Sequence, residues 1–265
     1  MTHGIDVSEF DGEINWTQVK NAGIQFAILR CGYGQSGQDF RFSDYYANAR
    51  QAGLPLGTYF YSYALNTAAA AREAQHTQRL IEGKSFEFPV WLDMEDADHY
   101  KEEHGFSFTR AHVTAICQSW LEGMRPSGRK LGVYASEYWL ENYIDVAALG
   151  SDCGIWLAQW SERPTYAGRY DVWQYTDRGH VPGIAGAVDM DYAYTDYEED
   201  DEVTQEQFNQ MMNTYLKQLE AQTPSNYAKE AWAKATEKGV LDGTGPRLFS
   251  TREQLAVVLD RLDLL

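Results

Sequence analysis

The sequence predicts an α/β fold: an irregular TIM-like (β/α) barrel followed by a small, mostly helical C-terminal appendage. Short apolar segments alternate with amphipathic ones over about the first 200 residues, a pattern typical of folds built around a parallel-rich sheet. Eight of the short segments have strand character, and eight strands suggest a barrel. After an acidic run, apolar residues recur at helical spacing.

The first half of the chain gives four strand and helix pairs. We expect strands over residues 5–8, 25–31, 57–63 and 88–95, and helices over 16–22, 43–52, 67–82 and 109–124. Gly23 and Gly53 follow the first two helices, and glycine commonly ends a helix because it adopts positive φ without strain. The second half gives strands over 131–136, 154–159, 172–176 and 188–191. Because the later connections are short and helix-poor, we expect an irregular barrel with some antiparallel strands.

Composition divides the chain into a barrel domain (1–197), an acidic linker (198–204) and a helical C-terminal domain (205–265). In the last part, Phe208, Met211 and Tyr215 recur at helical spacing, and a second helix is expected over 227–238. Residues 250–253 have the form of a capping box that opens a final helix. About 60 residues are marginal for independent stability, so this domain is expected to dock on the barrel or to self-associate.

Charge and residue usage exclude several classes of function. The net charge of −17 argues against a nucleic-acid groove and against simple adhesion to anionic membranes. The sequence has no apolar run of about 20 residues, and its N-terminus lacks the shape of a signal peptide. Three cysteines without close spacing indicate free thiols and synthesis in a reducing compartment. The six histidines show no metal-ligand spacing, so neither a metal nor another cofactor is expected.

The segment PVWLDME at 89–95 carries the main chemical signal. Strand alternation puts Trp91, Asp93 and Glu95 on one face and apolar residues on the other. Both carboxylates then point into the barrel at the C-terminal end of a strand, where active sites of this architecture lie. Carboxylates about 6 to 7 Å apart raise at least one pKa, which supplies the protonated acid and ionised partner of glycoside cleavage. On the spacing alone, a salt-bridged or exposed pair is an equally good interpretation.

Two more carboxylates occupy comparable positions. Asp6 lies in the first expected strand and Asp189 in the last. The first and last strands of a closed barrel are neighbours, so both side chains can approach the same cavity. Asp191 shares the face of Asp189 but lies further along the strand.

An ordered set of motifs resembles family 25 of the glycoside hydrolases, the Chalaropsis-type lysozymes. The matching segments are GIDVS (4–8), FAILR (26–30), YG (33–34) with Asp39, Phe42, Asn48 and Gly53, GTYF (57–60), LDME (92–95), IWLA (155–158), WQYT (173–176), VPGI (181–184) and VDMD (188–191). An isolated Asp-x-Glu is weak, but this order over about residues 3–197 is specific.

The resemblance implies a lysozyme (N-acetylmuramidase) that hydrolyses the β-1,4 bond between N-acetylmuramic acid and N-acetylglucosamine in peptidoglycan. Glu95 matches the general acid of the family, Asp93 its second carboxylate, and Asp6 and Asp189 two further acidic site residues. Asp191 departs from the family, in which many members have Asn there. Asp93 either stabilises charge at the anomeric carbon or orients the substrate acetamido group, and retention or inversion stays open.

Aromatic residues make up 14% of the chain and can stack on sugar rings. The expected substrate-binding residues lie on strand faces or near strand ends: Tyr33, Tyr59, Tyr61, Tyr63, Tyr134 and Trp160, with Tyr175 as a further stacking candidate. Some of this set are expected to line the substrate groove and the others to serve in packing. Gln174 is on the opposite face from Tyr175 and is expected either to bind an acetamido group or to serve a structural role.

The C-terminal segment resembles short S-layer-homology-like tails of phage endolysins and bacterial wall hydrolases, through Ala231, Trp232, the GVLDGT motif at 239–244, Pro246 and STREQ at 250–254. The tail is expected to bind cell wall, to form homo-oligomers, or only to stabilise the protein. The missing signal peptide and the free thiols indicate a phage endolysin that is made in the host cytoplasm and acts on the wall after release, with a bacterial enzyme exported by another route as the alternative. Another glycosidase such as a chitinase, and a non-catalytic glycan-binding barrel, are the alternatives.

Overall fold

The computed structural model describes residues 1–197 and 205–265 of the chain. It consists of two compact units, Met1–Glu199 and Asp200–Leu265. The predicted linker, 198–204, lies outside the described residues.

The first unit contains the eight expected strands, and its helices follow the expected order with two short additions. Its first half comprises β1 (Thr2–Val7), α1 (Trp16–Asn21), β2 (Phe26–Tyr33), a short β3 (Gly37–Gln38), α2 (Phe42–Gln51), β4 (Leu56–Tyr61), α3 (Thr67–Leu80) and β5 (Val90–Asp93). The second half comprises α4 (Tyr100–Glu103), α5 (Arg110–Met124), β6 (Leu131–Ser136), α6 (Glu137–Asn142), β7 (Gly154–Ala158), β8 (Val172–Gly179) and β9 (Val188–Ala193). The sequence did not predict α4, α6 or β3.

The strands form a closed, mixed barrel, which confirms the predicted fold class. The sheet order is β1-β9-β8-β7-β6-β5-β4-β2-β3, and β1 also pairs with β2, which closes the barrel. Pairing is parallel from β1 through β2, β4, β5, β6 and β7 to β8. β9 runs antiparallel to both β8 and β1, and β3 forms a short antiparallel hairpin with β2. The expected antiparallel strands therefore lie where the connecting segments are shortest.

Strand alternation separates the apolar residues into two cores. One core lies between barrel and helices and takes Val90 and Leu92 from β5 together with the buried faces of α3 and α5. The other contains no helix residues and fills the barrel interior with Phe26, Ile28, Phe88, Trp91, Trp156, Val172, Ala193 and Tyr197. Trp91 and Trp156 are its largest members, and their ring centroids lie 5.6 Å apart. This aromatic layer closes the barrel at the level of the middle of β5.

The second unit contains α7 (Gln205–Glu220), α8 (Lys229–Glu237) and α9 (Arg252–Arg261), as the apolar spacing predicted. The last helix begins one residue later than expected: its capping box joins Thr251 and Gln254, because the Gln254 side chain reaches back to the N-cap backbone. Among the described helices, none is long and apolar enough to cross a membrane.

Candidate active site

Four carboxylates that the sequence singled out lie at one end of the barrel. Asp93 is the last residue of β5, and Glu95 follows two residues later, beyond the strand that was expected to include it. Asp6 is the penultimate residue of β1, where antiparallel pairing sets it opposite Asp189 near the start of β9. Because β9 runs against β1, its start lies at the same end of the barrel as the carboxyl ends of the parallel strands.

The side chain of Tyr134 shows how closely these carboxylates converge. Tyr134 is the register partner of Asp93 on the neighbouring β6. Burial raises the pKa of Tyr134 well above its ordinary value, and the charges of Glu95, Asp93, Asp6 and Asp189 all add to the rise. A single phenol within reach of all four charges indicates that they form one site.

Asp93 and Glu95 form a carboxyl pair in which Asp93 is buried and Glu95 is partly buried. Asp93 is 3% exposed, and its Oδ1 atom has no hydrogen-bond partner in the described part of the chain. Burial raises the pKa of Asp93 well above its ordinary value, and the neighbouring Glu95 charge raises it further. Burial also raises the pKa of Glu95, although a hydrogen bond with Asp93 and the Lys101 ammonium oppose the rise. Such a pair retains a proton at a pH where two isolated carboxyls would both be ionised.

Asp6, Asp189 and Asp191 form a second acidic group on β1 and β9. Burial raises the pKa of Asp6 well above its ordinary value, and the charges of Asp189 and Asp191 add to the rise. Burial likewise raises the pKa of Asp189 to about 7. Asp191 pairs with Gly4, deeper in the barrel, and its Oδ1 accepts a hydrogen bond of 2.8 Å from Trp156 Nε1. The second group therefore also resists full ionisation at neutral pH.

Gln174 on β8 supports Asp6 through three hydrogen bonds. Its Nε2 donates to Asp6 Oδ2 at 2.8 Å, while its Oε1 accepts from Tyr134 Oη at 3.0 Å and from Trp160 Nε1 at 3.1 Å. Gln174 is 2% exposed. Two hydrogen-bond donors to its carbonyl oxygen fix the orientation of the amide. These contacts correspond to the structural role, one of the two roles that the sequence left open for Gln174.

The aromatic residues predicted to bind substrate lie mostly around these carboxylates. Tyr59 and Tyr134 pack against Trp156 at centroid distances of 6.0 and 4.6 Å. Tyr61 and Tyr63 donate hydrogen bonds of 3.2 and 2.6 Å to the Asp98 carboxylate.

Three other aromatic residues occupy different surroundings. Tyr33 meets the Tyr63 ring edge-on at 6.3 Å, and Trp160 is 59% exposed while bonded to Gln174. Tyr175 packs on the outer core, with its hydroxyl 2.9 Å from His3 Nε2, because strand alternation turns it away from Gln174.

Sequence reasoning missed two buried charged residues beside the carboxyl pair, Lys101 on α4 and Glu73 on α3. Lys101 is 1% exposed and donates to the backbone carbonyls of Ser62 and Glu95. Glu73 is fully buried and accepts hydrogen bonds from Ser62 Oγ at 2.7 Å and from Tyr63 N at 2.9 Å. Neither gives a sequence signal, since Lys101 stands in a run of charged residues and Glu73 in a polar helix.

Replacing Asp191 with Asn is expected to stabilise the protein at neutral pH. Asp191 is fully buried and its Oδ2 has no hydrogen-bond partner among the described residues. Burial raises its folded-state pKa well above the unfolded value, so the native state loses stability as the pH rises above the unfolded pKa. The neutral Asp191→Asn side chain avoids this loss, and we expect a gain of about 1–3 kcal/mol in the free energy of unfolding at pH 8.

Denaturant unfolding at pH 4 and pH 8 measures this effect, and the gain should shrink toward pH 4 because the native carboxyl is then protonated. Asp44→Asn, an exposed change in the first turn of α2, is the matched control and should show little pH dependence. Equal effects of Asp191→Asn at both pH values would contradict the expectation.

Comparison with known proteins gives consistent matches to the barrel. The profile of Glycosyl hydrolases family 25 matches residues 5–184. Lysozyme M1 of Streptomyces globisporus is 28% identical over 199 residues, which cover 70% of this chain and 65% of that protein. The chain therefore matches less than two thirds of this curated relative.

Two solved structures share the fold. A family 25 glycosyl hydrolase from Bacillus anthracis aligns with a TM-score of 0.65 at 23% identity, over 75% of this chain and 91% of that one. The CTP1L endolysin aligns with a TM-score of 0.63 at 19% identity, over 100% of both chains.

Proposed function

The chain belongs to family 25 of the glycosyl hydrolases, and from this membership we propose that it is a muramidase. It hydrolyses the β-1,4 bond between N-acetylmuramic acid and N-acetylglucosamine in bacterial peptidoglycan. The observation that carries this proposal is the Asp93–Glu95 pair at the mouth of the barrel, where burial raises the pKa of both carboxyls, as a proton-donating acid beside a second carboxyl requires. The similarity to a protein named Lysozyme M1 supports the same activity.

In the proposed reaction Glu95 gives its proton to the glycosidic oxygen as the bond from that oxygen to the anomeric carbon breaks. Asp93 either stabilises the positive charge that develops at the anomeric carbon or orients the acetamido group of the substrate to attack it. Water then supplies the hydroxyl group to that carbon, and its remaining proton returns to the carboxyl pair. Asp6 and Asp189 position substrate or water at the opposite side of the site, with Gln174 holding Asp6.

The test is the release of reducing ends from purified peptidoglycan, with mass spectrometry of the fragments. Fragments that end in N-acetylmuramic acid are expected. Release from chitin instead would favour a chitinase. Binding without release from walls of several compositions would favour a glycan-binding barrel and overturn the proposal.

We also propose that the protein is a phage endolysin, made in the host cytoplasm and active on the wall after release. Three buried free cysteines suit a reducing compartment. The alignment with the CTP1L endolysin, which extends over the full length of both chains, supports this proposal.

The C-terminal unit is proposed to make homo-oligomers through α7, with wall binding through its S-layer-homology-like segment as the competing role. Phe208, Met211, Met212 and Tyr215 follow the spacing of one helix face, and each is between 39% and 64% exposed. Changing Phe208, Met211 and Tyr215 together to Ser in the full chain is expected to reduce the mass seen by light scattering to that of a monomer. An unchanged mass, with lost sedimentation on cell walls, would instead assign the unit to wall binding.

A further inference from the structure

Lys101 is a fully buried cation directly behind the carboxyl pair. It lies on α4 and is 1% exposed, and its ammonium donates to the carbonyl oxygens of Ser62 and Glu95. Burying an ammonium is unfavourable unless nearby groups compensate for the lost water. The two carbonyls belong to the segments that follow β4 and β5, so the side chain joins both segments at the end of the barrel.

Charged and titratable groups face this ammonium from every element around it. Asp93, Glu95 and Asp96 contribute negative charge from β5 and the segment after it, and Glu73 contributes negative charge from α3. The ring of Tyr61 on β4 lies 5.6 Å from Lys101 Nζ, and the buried thiol of Cys117 on α5 is also within its electrostatic reach.

The backbone of α4 is fixed by the same segment. The Asp96 carboxylate accepts hydrogen bonds from the amides of Lys101 at 2.7 Å and Glu102 at 3.0 Å. Glu95 is therefore held from two directions, through its own carbonyl by the Lys101 ammonium and through the next residue by the start of α4. Without this cation Glu95, which lies beyond the end of β5, loses the bond that its carbonyl makes with α4.

We propose that Lys101 is a positioning residue for hydrolysis: it fixes the main chain of Glu95 beside Asp93 and supplies the positive charge that sets the pH range in which the pair holds one proton. The proposal rests on the proposed muramidase function. It follows from the geometry of one cation bonded to the general acid's own carbonyl. The Lys101 charge also lowers the pKa of both Asp93 and Glu95, against the effect of burial.

The sign of the effect is set by electrostatics. An opposite charge favours the ionised form of a carboxyl, so its removal lets both pKa values rise. The form of the enzyme with one proton on the pair then predominates at higher pH. Both limbs of the pH profile of kcat/KM, which reports the free enzyme, should move toward higher pH.

Two substitutions separate charge from hydrogen bonding. Lys101→Met removes both the charge and the donors, whereas Lys101→Gln keeps an amide donor for the carbonyls but has no charge. We expect both variants to shift the profile of peptidoglycan hydrolysis upward by about one pH unit. Lys101→Met should also lose more kcat than Lys101→Gln, since only the latter can still bond the Glu95 carbonyl.

A third variant tests the charge argument from the other side. Glu73→Gln retains partners for Ser62 and Tyr63 but removes the negative charge that Glu73 carries above its pKa, which burial raises to about 7, so the alkaline limb of its profile should move toward lower pH. This variant leaves Lys101 in place and keeps the test decisive if the Lys101 variants fail to fold by circular dichroism.

The outcomes distinguish this proposal from the one on which it rests. If wild-type protein releases no fragments from peptidoglycan, the muramidase function fails. A second outcome is that the wild-type protein is active while the folded Lys101 variants lose kcat and both limbs of their pH profiles stay at the wild-type pH. In that outcome Lys101 has a merely structural role and the positioning proposal is overturned. If the Lys101 variants do not fold, a Glu73→Gln variant whose alkaline limb stays at the wild-type pH overturns the positioning proposal as well.

Discussion

Replacing Glu95 with Gln is expected to lower kcat for peptidoglycan hydrolysis by about 10²–10⁴-fold, the usual contribution of general acid catalysis. The Glu95→Gln side chain keeps the shape of the acid and can still accept a hydrogen bond, but it cannot give a proton to the leaving oxygen. Substrate binding should change much less than kcat, because the aromatic residues around the site are untouched. Initial rates of reducing-end release over a range of substrate concentrations measure both quantities.

Glu102→Gln is the matched control for this experiment. Glu102 lies on α4, seven residues after Glu95, and its exposed carboxylate lies 3.1 Å from His99 Nδ1. The control should keep nearly full activity. An active Glu95→Gln variant would reject Glu95 as the acid and leave Asp93, whose pKa is also raised by burial, as the group to test next.

The carboxyl pair shows what a local pattern can predict. Alternation along PVWLDME placed Trp91 and Asp93 inside the barrel and Val90 and Leu92 outside it, and the two cores confirm this division. The same pattern extended the strand to Glu95, which was wrong, because strand pairing ends at Asp93. The alternation of apolar and polar residues along one strand does not show where its pairing with the neighbouring strands ends.

Contacts between distant parts of the chain could be predicted only where topology fixes them. Asp6 and Asp189 were expected to meet because the first and last strands of a barrel are neighbours, and their register confirms this. The direction of β9 determines the depth of Asp191. Because β9 runs antiparallel to β1, Asp191 lies deeper in the barrel than Asp189 instead of nearer the mouth. The hydrogen bonds of Gln174 and the approach of Lys101 depend on register and on a one-turn helix, neither of which leaves a periodic signal.

The aromatic layer beneath the site should also be essential to the fold. Trp91 is fully buried in the barrel interior, and Trp91→Ala is expected to lower the free energy of unfolding by about 3–5 kcal/mol. Its ring occupies the space over Gly132 on β6, where a Cβ atom would lie 2.2 Å from Trp91 Cζ3. The same Cβ would lie 2.9 Å from the Gly154 backbone oxygen. Gly132→Val is therefore expected to cost about 3 kcal/mol or more through overpacking, of which only the part against Trp91 is relieved when the indole is removed.

The two losses in the free energy of unfolding should not be additive, because Trp91→Ala empties a volume that Gly132→Val fills. In the double variant the Val side chain at position 132 occupies part of the space left by the indole, so the total loss should be smaller than the sum of the single losses. Denaturant unfolding of the four proteins in the cycle gives this coupling energy. Additive losses would mean that Trp91 and Gly132 do not share one packing site. A coupled pair would show that the Trp91 indole fills the space over Gly132 in the aromatic layer, two residues before Asp93 on the same strand.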